Sequence, residues 1–329
     1  MRGTIDTPTE ALGPERAVAS PALIEALDRQ VGFDARTRQG LSNHLPMELL
    51  ALDRLGAPPE RLEAMFDRWA GHMLDERSDT TVFDAYRAEV RADGIETTVA
   101  DHLPRFVESP SSEWFHSMIR LAYAVDAGHE GQVASALTDW TTYERLLPGE
   151  PPPGGPLPAV EVFEQLRSAG LERGGSHADL AAVARQARFA EVLAPVIVED
   201  TLDDIAAAVA AAHVAGANLA TLHLVTGVHA ARAVGRLTTG ASTRRFARRV
   251  VQAAAAGYVA AGAVPIPTRA ELDARRATPV PDWDVVRSAA VASADVHVTK
   301  LVYTCRTELA ATGDPLYSWL AAREVGLLD

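Results

Sequence analysis

The sequence predicts an all-α fold, a large helical bundle with a metal site between its helices. Three observations carry this. Apolar residues recur at helical spacing along most of the 329 residues. β-branched alternation is scarce, Ala194 to Val198 being the best strand candidate. Four histidines, His44, His116, His223 and His297, each sit in an apolar helical stretch. Buried imidazoles on separate helices are how bundles build internal metal centres.

Residues 1–20, with Pro8, Gly13 and Pro14, read as a loose leader; the catalytic domain is expected over 21–329. Helices are predicted from Pro21 to Val31, then from a cap at Ser42 or Asn43 to Gly56, then from Pro58 and Pro59 to Leu74. His102 to Ser109 reads as a loop, with Pro104 inside it and Pro110 after it. Ser111 or Ser112 is expected to cap an amphipathic helix, Glu113 to Ala127, and another helix runs from Gln132 to Leu147. The stretch 148–158 holds six prolines and three glycines, which makes it the clearest loop and a seam between two halves. Beyond it helices are expected over Val160–Ala169, His177–Val192, Leu202–Ala215, Leu219–Leu237, Thr243–Ala261, Trp283–Ala311 (with an interruption) and Pro315–Glu324.

Composition narrows the function. The net charge of −13 leaves no basic footprint, so nucleic acid and anionic membrane are not expected partners. One cysteine, Cys305, excludes disulfide frameworks and Cys-rich zinc sites and indicates a reducing compartment. The N-terminus lacks the apolar core of a signal peptide, and a cytoplasmic location is expected. Ile205 to Ala231 carries no formal charge, but its alanine richness and three histidines suit two buried helices broken near Gly216 to Asn218 better than a membrane span. Arginine and alanine bias fit a GC-rich bacterial genome. There is no Gly-x-Gly-x-x-Gly, phosphate-binding loop or Gly-x-Ser-x-Gly elbow; an NADPH-dependent enzyme would lack its usual fingerprint here.

Lys300 is the only lysine among 31 basic residues, and it lies one helical turn after His297 in Asp295-Val-His-Val-Thr-Lys300. Unlike arginine, a buried lysine can lose its charge and react. A neutral amine can add carbon dioxide and present a carbamate oxygen to a metal. Set against this, Lys300 can be a snorkelling residue or pair with Asp295 or Glu308. Of the other histidines, His72, His102, His129 and His177 lie at helix ends or in loops, His129 where a cationic ring suits a helix dipole. His213 and His229 compete with His223: His229 is six residues on, about 240° around the helix, so the two do not share one site. An imidazole set without thiolates suits Fe, Zn, Cu or Ni.

The stretches Ser42-Asn-His-Leu-Pro-Met-Glu-Leu49 with Ala51 to Gly56, Phe115-His-Ser-Met-Ile-Arg-Leu-Ala-Tyr123, Leu222-His-Leu-Val-Thr-Gly-Val-His-Ala-Ala-Arg232, Asp295-Val-His-Val-Thr-Lys-Leu301 and Asp314-Pro-Leu-Tyr317 resemble the questin oxidase family. The resemblance runs from about 42 to 318 and is weak over 130 to 200. It implies an oxygenase that opens a ring of an anthraquinone-like polycyclic polyketide with O2 and a Baeyer–Villiger-like outcome. It also implies non-heme iron(II) held by His44, His116, His223, His297 and a carbamate on Lys300, with zinc or another divalent metal as the alternative. Glu48, Arg120, Thr226 and Tyr303 are candidates for the surroundings of the metal. Trp114, Phe115 and Tyr123 could stack on a flat aromatic substrate, with core packing as the plain alternative. The rivals are a zinc hydrolase with a carboxylated lysine, an NADPH-dependent Baeyer–Villiger monooxygenase, and a metal-free helical protein binding a hydrophobic ligand. The last predicts that the four rings lie far apart or bond to backbone. The oligomeric state is open, a homo-oligomer included.

Overall fold

Ser20 starts the first helix by accepting the Leu23 amide on its hydroxyl at 3.1 Å, and Pro21 fills the first turn, where a missing N–H costs nothing. The computed structural model describes residues 18–71, 73–78, 80–173 and 179–328. His72, His177 and residues 1–17 of the expected leader lie outside them. The described residues form 17 helices and one small sheet. In order these are α1 (Pro21–Gln30), β1 (Phe33–Thr37), α2 (Leu45–Arg54), α3 (Pro59–Ala70), β2 (Leu74–Glu76), α4 (Thr81–Asp93), α5 (Ile95–Phe106), α6 (His116–Ala127) and α7 (Glu130–Thr142). After the proline-rich loop come α8 (Ala159–Ser168), α9 (Leu180–Ala184), α10 (Ala187–Leu193), α11 (Asp203–Ala215), α12 (Leu219–Gly235), α13 (Ala241–Ala260), α14 (Arg269–Arg276), α15 (Trp283–Ala292), α16 (Val296–Thr312) and α17 (Leu316–Glu324). The fold is all-α, and one buried apolar core runs from Leu23 to Ala322.

Four helices position everything that follows. α2 packs on α6 and α16, and α12 packs on the same two, so α2, α6, α12 and α16 close a ring. Three of them start on clear local chemistry. Asn43 accepts the Leu45 amide at 3.0 Å at the head of α2. Asn218 and Thr221 make a reciprocal capping box on α12, and Asp295 caps α16. α11 and α12 are separate buried helices broken at Gly216 to Asn218, as the sequence indicated, and among the described residues no helix is long and apolar enough to cross a membrane.

Several expectations need correction. Ala194 to Val198 forms no strand, only a bridge between Val196 and Leu157. The strands are instead β1 and β2, an antiparallel pair of five and three residues, too short to signal themselves by alternation. His102 is helical: α5 runs through Pro104, which falls in the last turn near the end of the hydrogen-bond ladder. The ring of His102 meets Glu89 and the face of Tyr86. His129 follows the end of α6, as expected, with Nε2 3.3 Å from the Asp28 carboxylate. It caps α7, its Nδ1 accepting the Gln132 amide at 3.1 Å, and burial lowers its proton affinity. α6 begins at His116, not Glu113, and the helix predicted to start at His177 divides into α9 and α10. α4 and α14 carry no sequence expectation at all. The loop at 148–158 is pinned to α13, where Arg249 donates to the Gly149 carbonyl at 2.7 Å and Gln252 to that of Pro148 at 3.0 Å.

Candidate metal centre

Each helix of the ring brings a histidine to the same end. His44 caps α2, His116 is the first residue of α6, His223 the fifth of α12 and His297 the second of α16, with Lys300 one turn behind it. The four N-terminal turns therefore converge, and their aligned amides make the region electropositive. Such a field disfavours protonated imidazole and favours a bound anion.

The cluster is close-set. One ring nitrogen from each of His44, His223 and His297 lies within 4.8 Å of the others. The fourth ring joins through His116 Nε2, 2.8 Å from His44 Nε2, and its centroid is 4.5 Å from that of His223. Lys300, 2% exposed, places Nζ 3.1 Å from His44 Nδ1. It neither snorkels nor pairs with Glu308, which has other partners. The four rings do not lie far apart, one of the two arrangements expected of a metal-free binding protein; the other, bonding to backbone, is met by His116 and His223 through Nδ1.

Three of the four rings have their Nδ1 fixed by an oxygen. His116 Nδ1 donates to the Glu113 carbonyl, His223 Nδ1 to the Leu219 carbonyl at 2.6 Å, and His297 Nδ1 to the Asp295 carboxylate at 3.0 Å. Second partners of this kind set the tautomer and leave Nε2 as the lone-pair atom facing inward. His223 Nε2 is buried without any hydrogen-bond partner. Asp295 does two things with one oxygen, accepting the His297 backbone amide at 2.8 Å as well. With His116 Nε2 an acceptor, the short contact to it is donated by His44 Nε2–H, and His44 Nδ1 accepts from Lys300.

Burial lowers the proton affinity of all four imidazoles, that of His116 to about 3. The charge on Lys300 adds to this for His44, His116 and His297; for His223 the neighbouring His116 comes before it. Lys300 is pulled down and Glu48 pushed up, both by burial and each resisted by the other's charge. Each shift favours the neutral ring, the form a ligand must have. Metal–imidazole bonds of about 2 Å hold ligating nitrogens roughly 3–4 Å apart, which a cluster spanning 4.8 Å reaches by small side-chain rotations. The donor set fits a divalent metal of the iron, zinc, copper or nickel kind.

The remaining candidates divide. Arg120, buried, donates from Nη1 to the Asn43 carbonyl at 2.7 Å and so holds the chain just before His44. Thr226 turns its hydroxyl back to the Leu222 carbonyl in its own helix, and Tyr303 donates to Asp126 at 2.8 Å. Tyr123 is buried with its ring against that of Tyr303. Trp114 and Phe115 lie in an unusual segment. Glu113, Trp114 and Phe115 all have positive φ, 53°, 56° and 69°. Left-handed L-residues cost about 1–2 kcal/mol each, and an ion pair between Arg36 and Glu113 and the burial of Phe115 offset this. The turn folds the Glu113 carbonyl back onto the His116 ring.

Phe115 is seated against Gly227 of α12, where a Cβ would lie 2.6 Å from the phenyl Cγ. Gly227→Ala is expected to overpack this contact by about 1–3 kcal/mol, partly offset by alanine's helix preference, and to displace His116. Thermal melts and metal content of the variant check this; wild-type values for both would refute the packing account.

Sequence reasoning missed Asp295 as the partner of His297, although its place two residues before a ring at a helix start is the signal. It also missed Trp69, stacked on His44 with centroids 6.3 Å apart. The carbonyls of Glu113 and Leu219 left no signal, because any residue supplies one.

A family model described as Questin oxidase-like matches residues 41–305, a span that includes all four histidines and Lys300. No curated protein matches the chain.

Proposed function

The chain belongs to the questin oxidase-like family, and from that premise we propose that it is a non-heme iron(II) oxygenase that cleaves a ring C–C bond of a polycyclic aromatic polyketide with O2. The family carries oxygenase-type chemistry on polyketide-like substrates. The observation that supports the finer reading is the convergence of four neutral imidazoles and one buried lysine at the N-terminal ends of a closed helix ring. His44, His116, His223 and His297 would hold the metal, and Lys300, as its carbamate, would add an anionic oxygen. Iron(II) supplies the one-electron chemistry toward O2 that a closed-shell aromatic lacks.

The chain's own groups define the rest. Asp295 and the carbonyls of Glu113 and Leu219 hold three rings in orientation. If His44 ligates through Nε2, its proton moves to Nδ1 and faces Lys300. An ammonium only donates and would oppose it; a carbamate oxygen or a neutral amine accepts it. The same geometry that gathers the histidines therefore asks for an uncharged or anionic Lys300. Asp139, Glu48 and Arg120 are buried in the surrounding core, and no charge on them is open to solvent. The electropositive helix ends suit a substrate carrying an ionised phenol or enol beside the carbonyl carbon that is attacked.

Elemental analysis and oxygen uptake test the reading. Purified protein is expected to hold about one iron per chain and to consume O2 only with an electron-rich hydroxylated polycyclic aromatic; chelation is expected to abolish uptake, and iron(II) to restore it. Uptake unchanged by chelation, or zinc as the metal that sustains turnover, would overturn it, the latter in favour of a hydrolase. A requirement for NADPH would favour the monooxygenase.

A further inference from the structure

Glu48 sits on α2 one turn after His44 and is fully buried; the Thr299 hydroxyl is its polar neighbour, yet no hydrogen bond of good geometry reaches either carboxyl oxygen. Orphaned buried polar groups cost about 1–3 kcal/mol each, and native interiors hold few of them. The charge that acts most on Glu48 is Lys300, and the charge that acts most on Lys300 is Glu48. No ion pair or hydrogen bond joins them: Lys300 Nζ makes its contact to His44 Nδ1 instead. Both side chains thus neighbour His44, Glu48 one turn along α2 from it and Lys300 at its Nδ1, without bonding to each other. A buried ion pair is stable only with close geometry and added hydrogen bonds, and this pair has neither.

We infer that Glu48 is the positioning residue that receives Lys300 in its carboxylated form, its carboxyl O–H donating to one carbamate oxygen while the other is left for the metal. The inference rests on the reading of Lys300 given above. In the carboxylation the Nζ lone pair forms the N–C bond to carbon dioxide, one C=O π pair moves onto its oxygen, and an N–H proton leaves to water. No oxidant or reductant is needed. The product places two acceptor oxygens on a side chain that had none, near a carboxyl group that no hydrogen bond of good geometry reaches. Burial favours the protonated, donating form of Glu48, and exchanging the neighbouring ammonium for an anion favours it further. The convergent helix N-termini stabilise the negative charge so formed.

The experiment uses the full chain as wild type, Glu48→Gln and Glu48→Leu, loaded with zinc(II) as a diamagnetic probe in ¹³C-bicarbonate. The carbamate carbon is read by ¹³C NMR, bound zinc by elemental analysis, and folding by thermal melts. Wild type and Glu48→Gln, whose amide also donates, are expected to show the resonance and bind zinc. Glu48→Leu is expected to lose the resonance and about 10–100-fold in zinc affinity while melting no lower than wild type. A resonance and zinc affinity at wild-type level in Glu48→Leu would sink the role of Glu48 alone. Loss of both in Glu48→Gln would also sink it, by making an ionised carboxylate necessary; this arm decides even if the leucine variant does not fold. A wild type with no resonance would remove the carbamate reading and this inference together.

Discussion

Lys300→Arg is expected to abolish metal retention and turnover together. The substitution keeps a positive charge in a chain whose other 30 basic residues are arginine, so it is the mildest change that composition allows. Chemically it is severe. A guanidinium stays charged and presents donors only, and it cannot take up carbon dioxide. It would face His44 Nδ1, where Lys300 Nζ lies at 3.1 Å, and set a permanent cation beside four imidazoles. Its larger head also has to fit a site that is 2% exposed; overpacking of this kind costs about 1–3 kcal/mol. Metal affinity should fall by more than the roughly 10–100-fold typical of a lost outer partner, since on the proposed reading Lys300 is itself a ligand. Elemental analysis and oxygen uptake on the same sample measure both losses. Full metal and full turnover in the variant would return the lone lysine to an accident of codon usage.

Glu308→Ala is expected to be the most destabilising single change outside the histidine cluster. Glu308 is buried, bonded to His229 Nδ1 at 2.7 Å and to Arg232, which also reaches Asp203 at 2.6 Å. Removing the carboxylate leaves the buried His229 ring without its partner and Arg232 with Asp203 alone, a loss of about 3 kcal/mol. Burial works against the charge on Glu308, but the bonds from His229 and Arg232 outweigh it and hold its carboxyl below the usual range. A carboxylate with a lowered folded-state pKa contributes stability fully above the unfolded value of about 4.3 and loses it as pH falls through the folded value. The difference between wild type and variant should therefore be widest near neutral pH and close in acid. Urea unfolding at pH 7 and near pH 2, below both values, tests this; a difference independent of pH, or one below 1 kcal/mol at pH 7 (a typical solvated surface pair), would refute it.

What the sequence made legible follows from how strongly each feature is encoded. The helices that bury a face announce themselves by period, and α1, α2, α11, α12, α13 and α17 fall within a few residues of their expected bounds. Histidines inside apolar faces were conspicuous because burying a polar ring needs a reason, and four of the six so placed meet Lys300. His213 and His229 were harder. Each fixes its Nδ1 with a distant or loop-brought partner, Thr221 at 2.9 Å and Glu308, and such pairings are set by packing that no local pattern reports. The left-handed turn at Glu113 to Phe115 was illegible for the opposite reason: none of its residues favours that conformation, and tertiary contacts impose it. Pro104 misled because a proline signals a break wherever it stands, yet α5 runs on to Phe106 at the loss of one amide from its ladder.

The ring of α2, α6, α12 and α16 has a consequence for assembly. His44 and Lys300 touch across 256 positions of sequence, so no fragment that stops short of α16 contains the centre. Loop closure over that span is a late and slow event in folding, and a metal held as proposed would then have affinity only for the finished chain. It becomes a thermodynamic latch: at a free concentration 100 times its Kd it adds about 2.7 kcal/mol to global stability, and stripping it should lower the unfolding temperature of the whole bundle at once rather than loosen one end.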